Sequence, residues 1–420
     1  MAIISQVQIA ISRSAISLPR VQADKGTVLK KGLAETGSSV TLKLRQPRGD
    51  MMNLTGLYRL NAEIERRFPS LGKWQATGLA VACWGLILQE QCQISRMAES
   101  LPEWGAFNTV RQRLKRWVNN PRINVTTSSY EWIAWVWSSC HFKRPVLLVD
   151  ETKLSDRLAV MMVSLAFEGR AIPLLWRCYY ANSALDYPQQ GQVLLIYGLL
   201  AHVLSALPTN VRPLVQMDRG LAHSSALLRA LKALKVDFLV RVKATARFSS
   251  RRGHSQLLSQ MVKYGETTWA QGTLFTRHHQ ITGSVYLIWE VSQTEAWCLF
   301  SNDARLGGHR YALRWWQEES FKDLKSGGWQ WQTSHIRCPK RMERLLLVMA
   351  VSYGWMLSLG ALLGEAPAQV QRQVATRDGL QTTSLFRLGL RWFKRLLHCT
   401  PAALQVTLWF APPAFRCALE

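Results

Sequence analysis

The sequence has few acidic residues for its length. Its 420 residues include 27 Asp and Glu against 52 Lys and Arg, which gives a formal net charge of +25 and a pI of about 10.2. This imbalance predicts attraction to polyanions, with DNA or RNA first among them. The alternative is a protein that is merely basic or associated with ribosomes. Such chains are usually shorter and poorer in Trp than this one, which has 18.

Paired cysteine motifs are also missing. None of the eight Cys belongs to a C-x-x-C pair, and none has a His at the spacing of a zinc site. We therefore expect reduced, mostly buried thiols in a cytosolic protein rather than a disulfide framework. The first 23 residues contain Arg and Ser but no strong apolar block, so they are not typical of a secretory signal.

Long uncharged runs are scarce too. Residues 345–363 form one, "LLLVMAVSYGWMLSLGALL", which is about long enough to span a bilayer. The run contains two Ser and two Gly, no second run accompanies it, and the mean hydropathy of the chain is −0.04. A buried helix in a large soluble core is the favoured prediction, and a membrane protein is the alternative.

The pattern along the chain predicts helical regions at both ends of the folded part. Residues 1–50 are polar and basic, and we expect a disordered extension that lies upstream of the folded protein. Residues 51–140 have helical periodicity and end in the basic, amphipathic segment "NTVRQRLKRWVNN". That segment suits a DNA-binding domain, and it suits equally a helical bundle with a solvated basic face. Residues 341–420 are predicted to form a C-terminal helical region.

The middle of the chain, residues 141–340, is predicted to be an α/β domain. Three β-rich apolar runs come first, and helices then alternate with two further strands, which is typical of a mixed sheet. Residues from about 244 to 303 break this alternation with strand-like segments such as "GSVYLIWEV". We therefore expect a β-rich insertion within the α/β domain.

Two aspartates follow apolar strands of this predicted sheet. Asp150 ends the strand in "LLVDET", and Asp218 ends the strand in "LVQMDRG". Ligands of α/β sheets bind at the carboxyl ends of the strands. A single Asp at such a place is more often a helix cap or turn former, but a pair at matching strand ends favours a metal site.

A third carboxylate lies in "YALRWWQEESFKDLK", residues 311–325. In a continuous α-helix, 100° per residue places four polar residues on a stripe about 60° wide, namely Tyr311, Arg314, Glu318 and Lys325. The neighbouring face is predicted to pack on the sheet through Leu313, Trp316, Phe321 and Leu324. An Arg314–Glu318 ion pair alone, worth about 0.2–0.5 kcal/mol, leaves Tyr311 and Lys325 without a role.

The three carboxylates together suit hard cations that prefer oxygen ligands. Two Mg²⁺ ions about 3.5–4 Å apart would clamp the attacking and leaving oxygens of a phosphoryl displacement. The cationic and phenolic groups beside Glu318 would then hold a flanking phosphate.

The spacing Tyr311-x2-Arg314-x3-Glu318-x6-Lys325 resembles the Y-R-E-K signature of the insertion-sequence-four family of DDE transposases. "VDET" and "MDRG" resemble the two aspartate boxes of that family, and the resemblance covers about residues 55–365. It implies a ribonuclease-H-like mixed sheet with a β-rich insertion and helical flanks. The implied activity is cut-and-paste transposition of an insertion sequence, by two-metal DNA strand cleavage and strand transfer.

The resemblance also implies roles for individual residues. Asp150, Asp218 and Glu318 would be catalytic and would bind two Mg²⁺ ions, with Mn²⁺ as a substitute. The implied DNA-binding residues are Tyr311, Arg314 and Lys325 at the cut, Trp297 on a flipped base, and Arg113, Lys115 and Arg116 in the N-terminal region. Trp289 is the second candidate for the base-stacking residue. The alternative for Trp297 is that it packs in the hydrophobic core and has no contact with DNA.

The expected partners are double-stranded DNA, as transposon ends and target, and a second copy of the chain in a homodimer. No membrane partner is expected, and the predicted location is the bacterial cytoplasm, in association with the nucleoid. Two other functions stay open from the sequence. One is a different ribonuclease-H-like nuclease, and the other is a non-catalytic DNA-binding derivative of a transposase.

Overall fold

The computed structural model describes residues 50–410, apart from residues 141, 143, 155–156, 182–190, 223, 252, 292, 375–382, 400–403, 405 and 407. The predicted extension over residues 1–50 therefore lies, but for its last residue, outside the described part. The division of the chain into domains stays a prediction.

Helices occupy both ends of the described chain and the connections of the sheet. They are α1 (Asp50–Arg67), α2 (Lys73–Gln89), α3 (Ile94–Glu99), α4 (Phe107–Asn119), α5 (Val125–Ser138), α6 (Gly191–Ser205), α7 (Ser225–Ala233), α8 (Trp315–Leu324), α9 (Pro339–Gly364), α10 (Ala368–Arg372) and α11 (Leu385–Cys399). Short 3-10 helices occur at Pro102–Trp104, Leu258–Gln260, Arg277–His279, Gly308–Arg314 and Trp331–Ser334.

The strands lie between the two helical regions, where β-branched and other apolar residues are concentrated. They are β1 (Val146–Lys153), β2 (Leu158–Phe167), β3 (Arg170–Tyr180), β4 (Leu214–Met217), β5 (Asp237–Arg241), β6 (Arg247–Ser250), β7 (Ser255–Leu257), β8 (Thr267–Leu274), β9 (Ile281–Ile288) and β10 (Trp297–Ser301).

One sheet of ten strands joins all of them, in the order β3-β2-β1-β4-β5-β10-β9-β8-β6-β7. The first three strands pair antiparallel, and β4 and β5 continue the sheet parallel to β1. Helices α6 and α7 make the crossover connections that parallel strands require. The predicted mixed α/β sheet with helical flanks is confirmed, and the arrangement is consistent with a ribonuclease-H-like fold.

The β-rich insertion extends this same sheet. Its last strand, β10, pairs antiparallel with β5, and β9 and β8 follow outward from it. The chain then returns from β10 to the centre of the sheet through the 3-10 helix Gly308–Arg314. The insertion therefore brings the segment that begins at residue 308 back beside β4 and β5.

The uncharged run at residues 345–363 lies inside α9, which is the one helix of the described chain that is long and apolar enough to cross a membrane. Its most apolar stretch is 94% buried within the protein. It packs against α11 so closely that a Cβ at Gly389 would lie 1.8 Å from the carbonyl oxygen of Met356. Protein therefore covers the apolar surface of this helix, as the core-helix prediction requires.

The described cysteines are all free thiols. Cys83, Cys92, Cys178 and Cys298 are buried, whereas Cys399 is exposed. Among the described cysteines, which exclude Cys417, most are buried as predicted, and their reduced state stays a prediction.

Candidate active site

Asp150 and Asp218 occupy equivalent positions on neighbouring strands. The parallel pairing of β1 with β4 ends at Val149 and Met217, and each aspartate is the next residue along its strand. Neighbouring strands lie about 4.8 Å apart, so the two carboxylates leave the sheet side by side. One detail differs from the sequence prediction: β1 continues to Lys153 beyond Asp150, because it remains paired with β2.

The environment of Asp150 disfavours its charged form. Burial raises the pKa of Asp150 to about 6, although the guanidinium of Arg314 lowers it. The backbone N–H of Glu151 also donates to Asp150 Oδ1 at 2.9 Å. The charges of Asp218 and Glu318 raise the pKa of Asp150 further.

Arg314 lies among the three carboxylates. Its Nη1 donates to Asp150 Oδ2 at 3.0 Å, and its Nη2 donates to Glu318 Oε1. Burial lowers the pKa of Arg314, but the negative charges around it, those of Asp218 and Glu318 included, raise that pKa above its ordinary value. The predicted i,i+4 pair with Glu318 is therefore present, and it is one half of a bridge to Asp150.

The sequence predicts one continuous α-helix from 311 to 325, but the structure does not contain it. Tyr311 and Arg314 belong to the 3-10 helix, α8 begins at Trp315, and Lys325 lies just beyond its end. The calculated stripe of four polar residues therefore does not describe the observed geometry. Contacts with different strands, rather than one helix face, bring these four residues to the same region.

Tyr311 is buried beneath the site. Its side chain is 4% exposed, and its hydroxyl donates to the carbonyl oxygen of Met217 at 3.2 Å. Burial raises the pKa of this phenol well above its ordinary value. From the strand side, Gln216 donates to the carbonyl oxygen of Arg310 at 2.8 Å. These two bonds fix the 3-10 helix to β4, directly before Asp218.

Lys325 contacts the strand that carries Asp150. Its Nζ donates to Thr152 Oγ1 at 2.6 Å, and Thr152 is buried. Burial lowers the pKa of Lys325, while the charge of Asp150 raises it. Thr152 was not identified from the sequence, although its place in "VDET", two residues after Asp150, was the available signal.

The face of α8 that packs on the sheet is more polar than predicted. Phe321 and Leu324 are buried as expected, but Leu313 and Trp316 are only half-buried. Gln317 and Ser320 occupy the buried positions instead, and Ser320 Oγ accepts the backbone N–H of Ala171 in β3 at 2.6 Å.

A buried ionic network anchors the same helix at its C-terminal end. Asp323 accepts from Arg170 Nε at 2.6 Å and from the hydroxyl of Tyr353 in α9 at 2.9 Å. This network links α8 to both β3 and α9, and it holds Glu318 one and a half turns upstream at a fixed place. This network could not be predicted from the sequence, because its members come from three separate segments.

The tryptophans considered for base stacking differ in exposure. Trp297 is half-buried, packs edge-on against Tyr311 with ring centroids 5.7 Å apart, and has Arg241 over its ring. Trp289 is also half-buried, and its Nε1 donates to the carbonyl oxygen of Gln293. Trp315, directly after Arg314, is 56% exposed. The role predicted for Trp297 stays a prediction.

The predicted N-terminal DNA-binding residues Arg113, Lys115 and Arg116 all lie on α4 and are exposed. Arg113 donates to the carbonyl oxygen of Trp104 at 3.4 Å, and Lys115 lines a separate groove described below. The structure does not bring these three residues to the carboxylates. Their contact with DNA stays a prediction.

The carboxylates are not arranged as a closed metal cage. Among the described residues, no group of three His, Cys, Asp or Glu side chains is placed to hold a metal ion directly. The donor chemistry nevertheless fits hard cations, since the side chains of Asp150, Asp218 and Glu318 offer carboxylate oxygens and their charges all act on the Arg314 guanidinium. A cation supplied from solution would compete with Arg314 for the same oxygens.

Residues 196–355 match the family model described as the transposase DDE domain. The matched segment contains Asp218 and Glu318, whereas Asp150 precedes it. No curated protein matches the chain significantly. This part of the chain is therefore similar to the transposase DDE domain, in agreement with the fold.

Proposed function

We propose that this protein is a cut-and-paste transposase of the insertion-sequence-four family, which cleaves and joins DNA at the cluster of Asp150, Asp218 and Glu318. The observation that carries the proposal is that Arg314 bridges Asp150 on β1 and Glu318 on α8, beside the strand end from which Asp218 follows β4. The family match over residues 196–355 supports the transposase assignment independently.

Asp150, Asp218 and Glu318 would hold two Mg²⁺ ions, or Mn²⁺ in their place. When bound, such ions lower the pKa of a coordinated water and stabilise the attacking and leaving oxygens of phosphoryl transfer. Until the ions bind, Arg314 neutralises Asp150 and Glu318 and keeps them together. Displaced from these carboxylates, the guanidinium is available to a phosphate oxygen of the DNA, for which its planar fork is suited.

The reaction proceeds by successive displacements at phosphorus. Water breaks one phosphodiester bond at the element's end and leaves a 3′-hydroxyl. That hydroxyl attacks a phosphodiester of the opposite strand, which forms a hairpin at the element's end and releases the flanking DNA with a 3′-hydroxyl. A second water then breaks the hairpin phosphodiester. The regenerated 3′-hydroxyl then attacks a phosphodiester of the target, forms the new bond and releases a target 3′-hydroxyl.

The other residues of the signature have supporting roles in this proposal. Lys325 holds the DNA backbone near the cut, and Tyr311 acts from below by fixing the strand end that carries Asp218. Trp297 is the proposed base-stacking residue, and Arg113, Lys115 and Arg116 contact the transposon end. Two protomers bring two ends together as a homodimer, in the bacterial cytoplasm at the nucleoid.

Strand transfer separates this function from the alternatives. The purified protein is incubated with Mg²⁺, a supercoiled target plasmid and a linear duplex that carries the DNA flanking the reading frame. The proposal expects products in which the 3′ end of the flanking DNA is joined to the plasmid, and none with a duplex of scrambled ends. Cut ends without joining would indicate another ribonuclease-H-like nuclease. DNA binding without any cutting would indicate a non-catalytic derivative of a transposase. Either outcome overturns the proposal.

A further inference from the structure

A basic groove runs between the N-terminal helices and the start of α9. Its cavity has a volume of about 660 Å³. We call it the α4–α9 groove. Its cationic lining residues are Arg111 and Lys115 from α4, Arg157 from the β1–β2 hairpin, and Arg337 and Arg341 at the start of α9. Among the described residues no Asp or Glu lines it, and the rest of its polar wall is formed by Gln93, Ser95, Asn119, Tyr180, Ser334 and His335.

Three of these cations have no partner among the described residues, and Arg111 has only a cation–π contact with the ring of Phe107. Arg111, Lys115, Arg337 and Arg341 make no hydrogen bond and no ion pair there, and Nε of Arg111 is buried without an acceptor. The adjacent Lys340, outside the groove, is by contrast paired with Glu343 at 3.1 Å. Cations gathered in a cleft without counter-charges repel one another, so the groove favours an anionic ligand.

The start of α9 adds to this preference. Cys338 is the N-cap residue and provides no side-chain cap, and the first turn carries no acidic residue. The free N–H groups and the dipole of a 26-residue helix therefore reinforce the charges of Arg337 and Arg341.

The β1–β2 hairpin connects the groove to the carboxylate cluster. Arg157 belongs to the hairpin between β1 and β2, and Asp150 lies on β1 only three residues before its end at Lys153. Arg157 precedes Met162, the β2 partner of Asp150, by five residues, which corresponds to about 17 Å along the sheet. Lys325, which contacts Thr152 on that same strand end, precedes the turn that leads to Ser334 and His335 of the groove wall.

We propose that the α4–α9 groove binds the phosphate backbone of the DNA that leads away from the cleavage site. This inference rests on the proposed function and identifies a surface that holds the DNA substrate. The residues that would contact the phosphates are Arg111, Lys115, Arg157, Arg337 and Arg341. Contacts of this kind are independent of base sequence, so a duplex of arbitrary sequence is a suitable probe.

The test compares two charge-matched double variants. Arg337→Gln/Arg341→Gln removes two charges from the groove, and Arg229→Gln/Lys263→Gln removes two exposed charges elsewhere, from α7 and the loop before β8. Binding of a fluorescein-labelled random duplex is measured by anisotropy from about 50 to 200 mM salt. Unchanged thermal unfolding confirms that each variant is folded, and Arg337→Lys/Arg341→Lys restores the charges.

The groove variant is expected to bind at least about tenfold more weakly than the control variant, with a salt slope reduced by about 1–2, and the lysine pair to recover most of the loss. Equal weakening in the two glutamine variants overturns the proposal, because net charge alone would then account for the effect. Failure of the proposed function is distinct from this result: wild-type protein would then bind DNA through the groove but join no strands.

Discussion

Asp150 and Arg314, which are 164 residues apart in the sequence, form an ion pair at the centre of the carboxylate cluster, with 3.0 Å between Oδ2 and Nη1. The same guanidinium holds Glu318. The pair therefore joins the strand that carries the first aspartate to the helix that carries the glutamate. It also occupies the oxygens to which we assign the metal ions.

Replacement of Arg314 should make the protein less stable but more responsive to metal. Arg314→Gln leaves Asp150 and Glu318 without their shared counter-charge, which we expect to cost about 2 kcal/mol of unfolding free energy, less than for a fully buried pair. Mg²⁺ can then replace the lost charge, and a ligand that binds only the folded state stabilises it. Mg²⁺ should therefore raise the Tm of this variant more than that of the wild type.

Arg305→Gln is the control for this experiment, because Arg305 is exposed and pairs with Asp303 away from the cluster. Its Tm should respond to Mg²⁺ as the wild type does. An equal response of all three proteins would show that Arg314 and the metal do not share ligands.

Tyr311 tests whether the phenol acts on DNA or on the fold. Tyr311→Phe keeps the ring against Trp297 but removes the hydrogen bond to Met217, so we expect a loss of about 1 kcal/mol in unfolding free energy. DNA affinity should not change, because the side chain is buried. A large loss of DNA affinity with unchanged stability would instead support the direct DNA contact that the family signature implies.

Arg170 tests the anchor of α8. Arg170→Met leaves the carboxylate of Asp323 buried beside Tyr353, and breaking such a pair costs about 3–5 kcal/mol. The measurement is urea unfolding. Lys322→Met on the same helix removes a solvent-exposed ion pair with Glu319 and should cost less than about 1 kcal/mol. Similar losses in both variants would contradict the anchoring role.

The central sheet could be predicted from the sequence because its signals are local. The apolar runs that end near Asp150 and Asp218 have the length and composition of buried strands, and Gly, Pro or polar segments separate them. The pairing of β10 with β5 could not be predicted, since strand partners depend on contacts between distant segments. The sequence showed a β-rich insertion but not that it continues the same sheet.

In the candidate site, too, local patterns could be predicted from the sequence and tertiary contacts could not. The Y-R-E-K spacing identified Glu318 and its neighbours, but the helix geometry used to interpret that spacing was wrong at both ends. Tyr311 hydrogen-bonds to the carbonyl of Met217, and Lys325 reaches Thr152 from beyond the helix end. Tertiary contacts therefore place both residues. Burial of Gln317 was also unexpected, because a polar residue at a core position leaves no periodic signal.

The most direct test of the account is DNA cleavage by an Asp150 variant. Wild type, Asp150→Ala and Glu319→Gln are incubated with Mg²⁺ and a duplex that carries the DNA flanking the reading frame, and nicks at the element's end are counted. Glu319 is the matched control, since it neighbours Glu318 but pairs with Lys322 and, at 3.8 Å, with Arg170. We expect Asp150→Ala to bind the duplex nearly as tightly as the wild type and to cut it more than about 100-fold more slowly, because loss of a metal ligand should exceed the 10–100-fold effect of an outer-shell partner.

Glu319→Gln should cut normally, and chelation of Mg²⁺ should stop all cleavage. Cleavage by Asp150→Ala at the wild-type rate would contradict the assignment of this cluster as the active site.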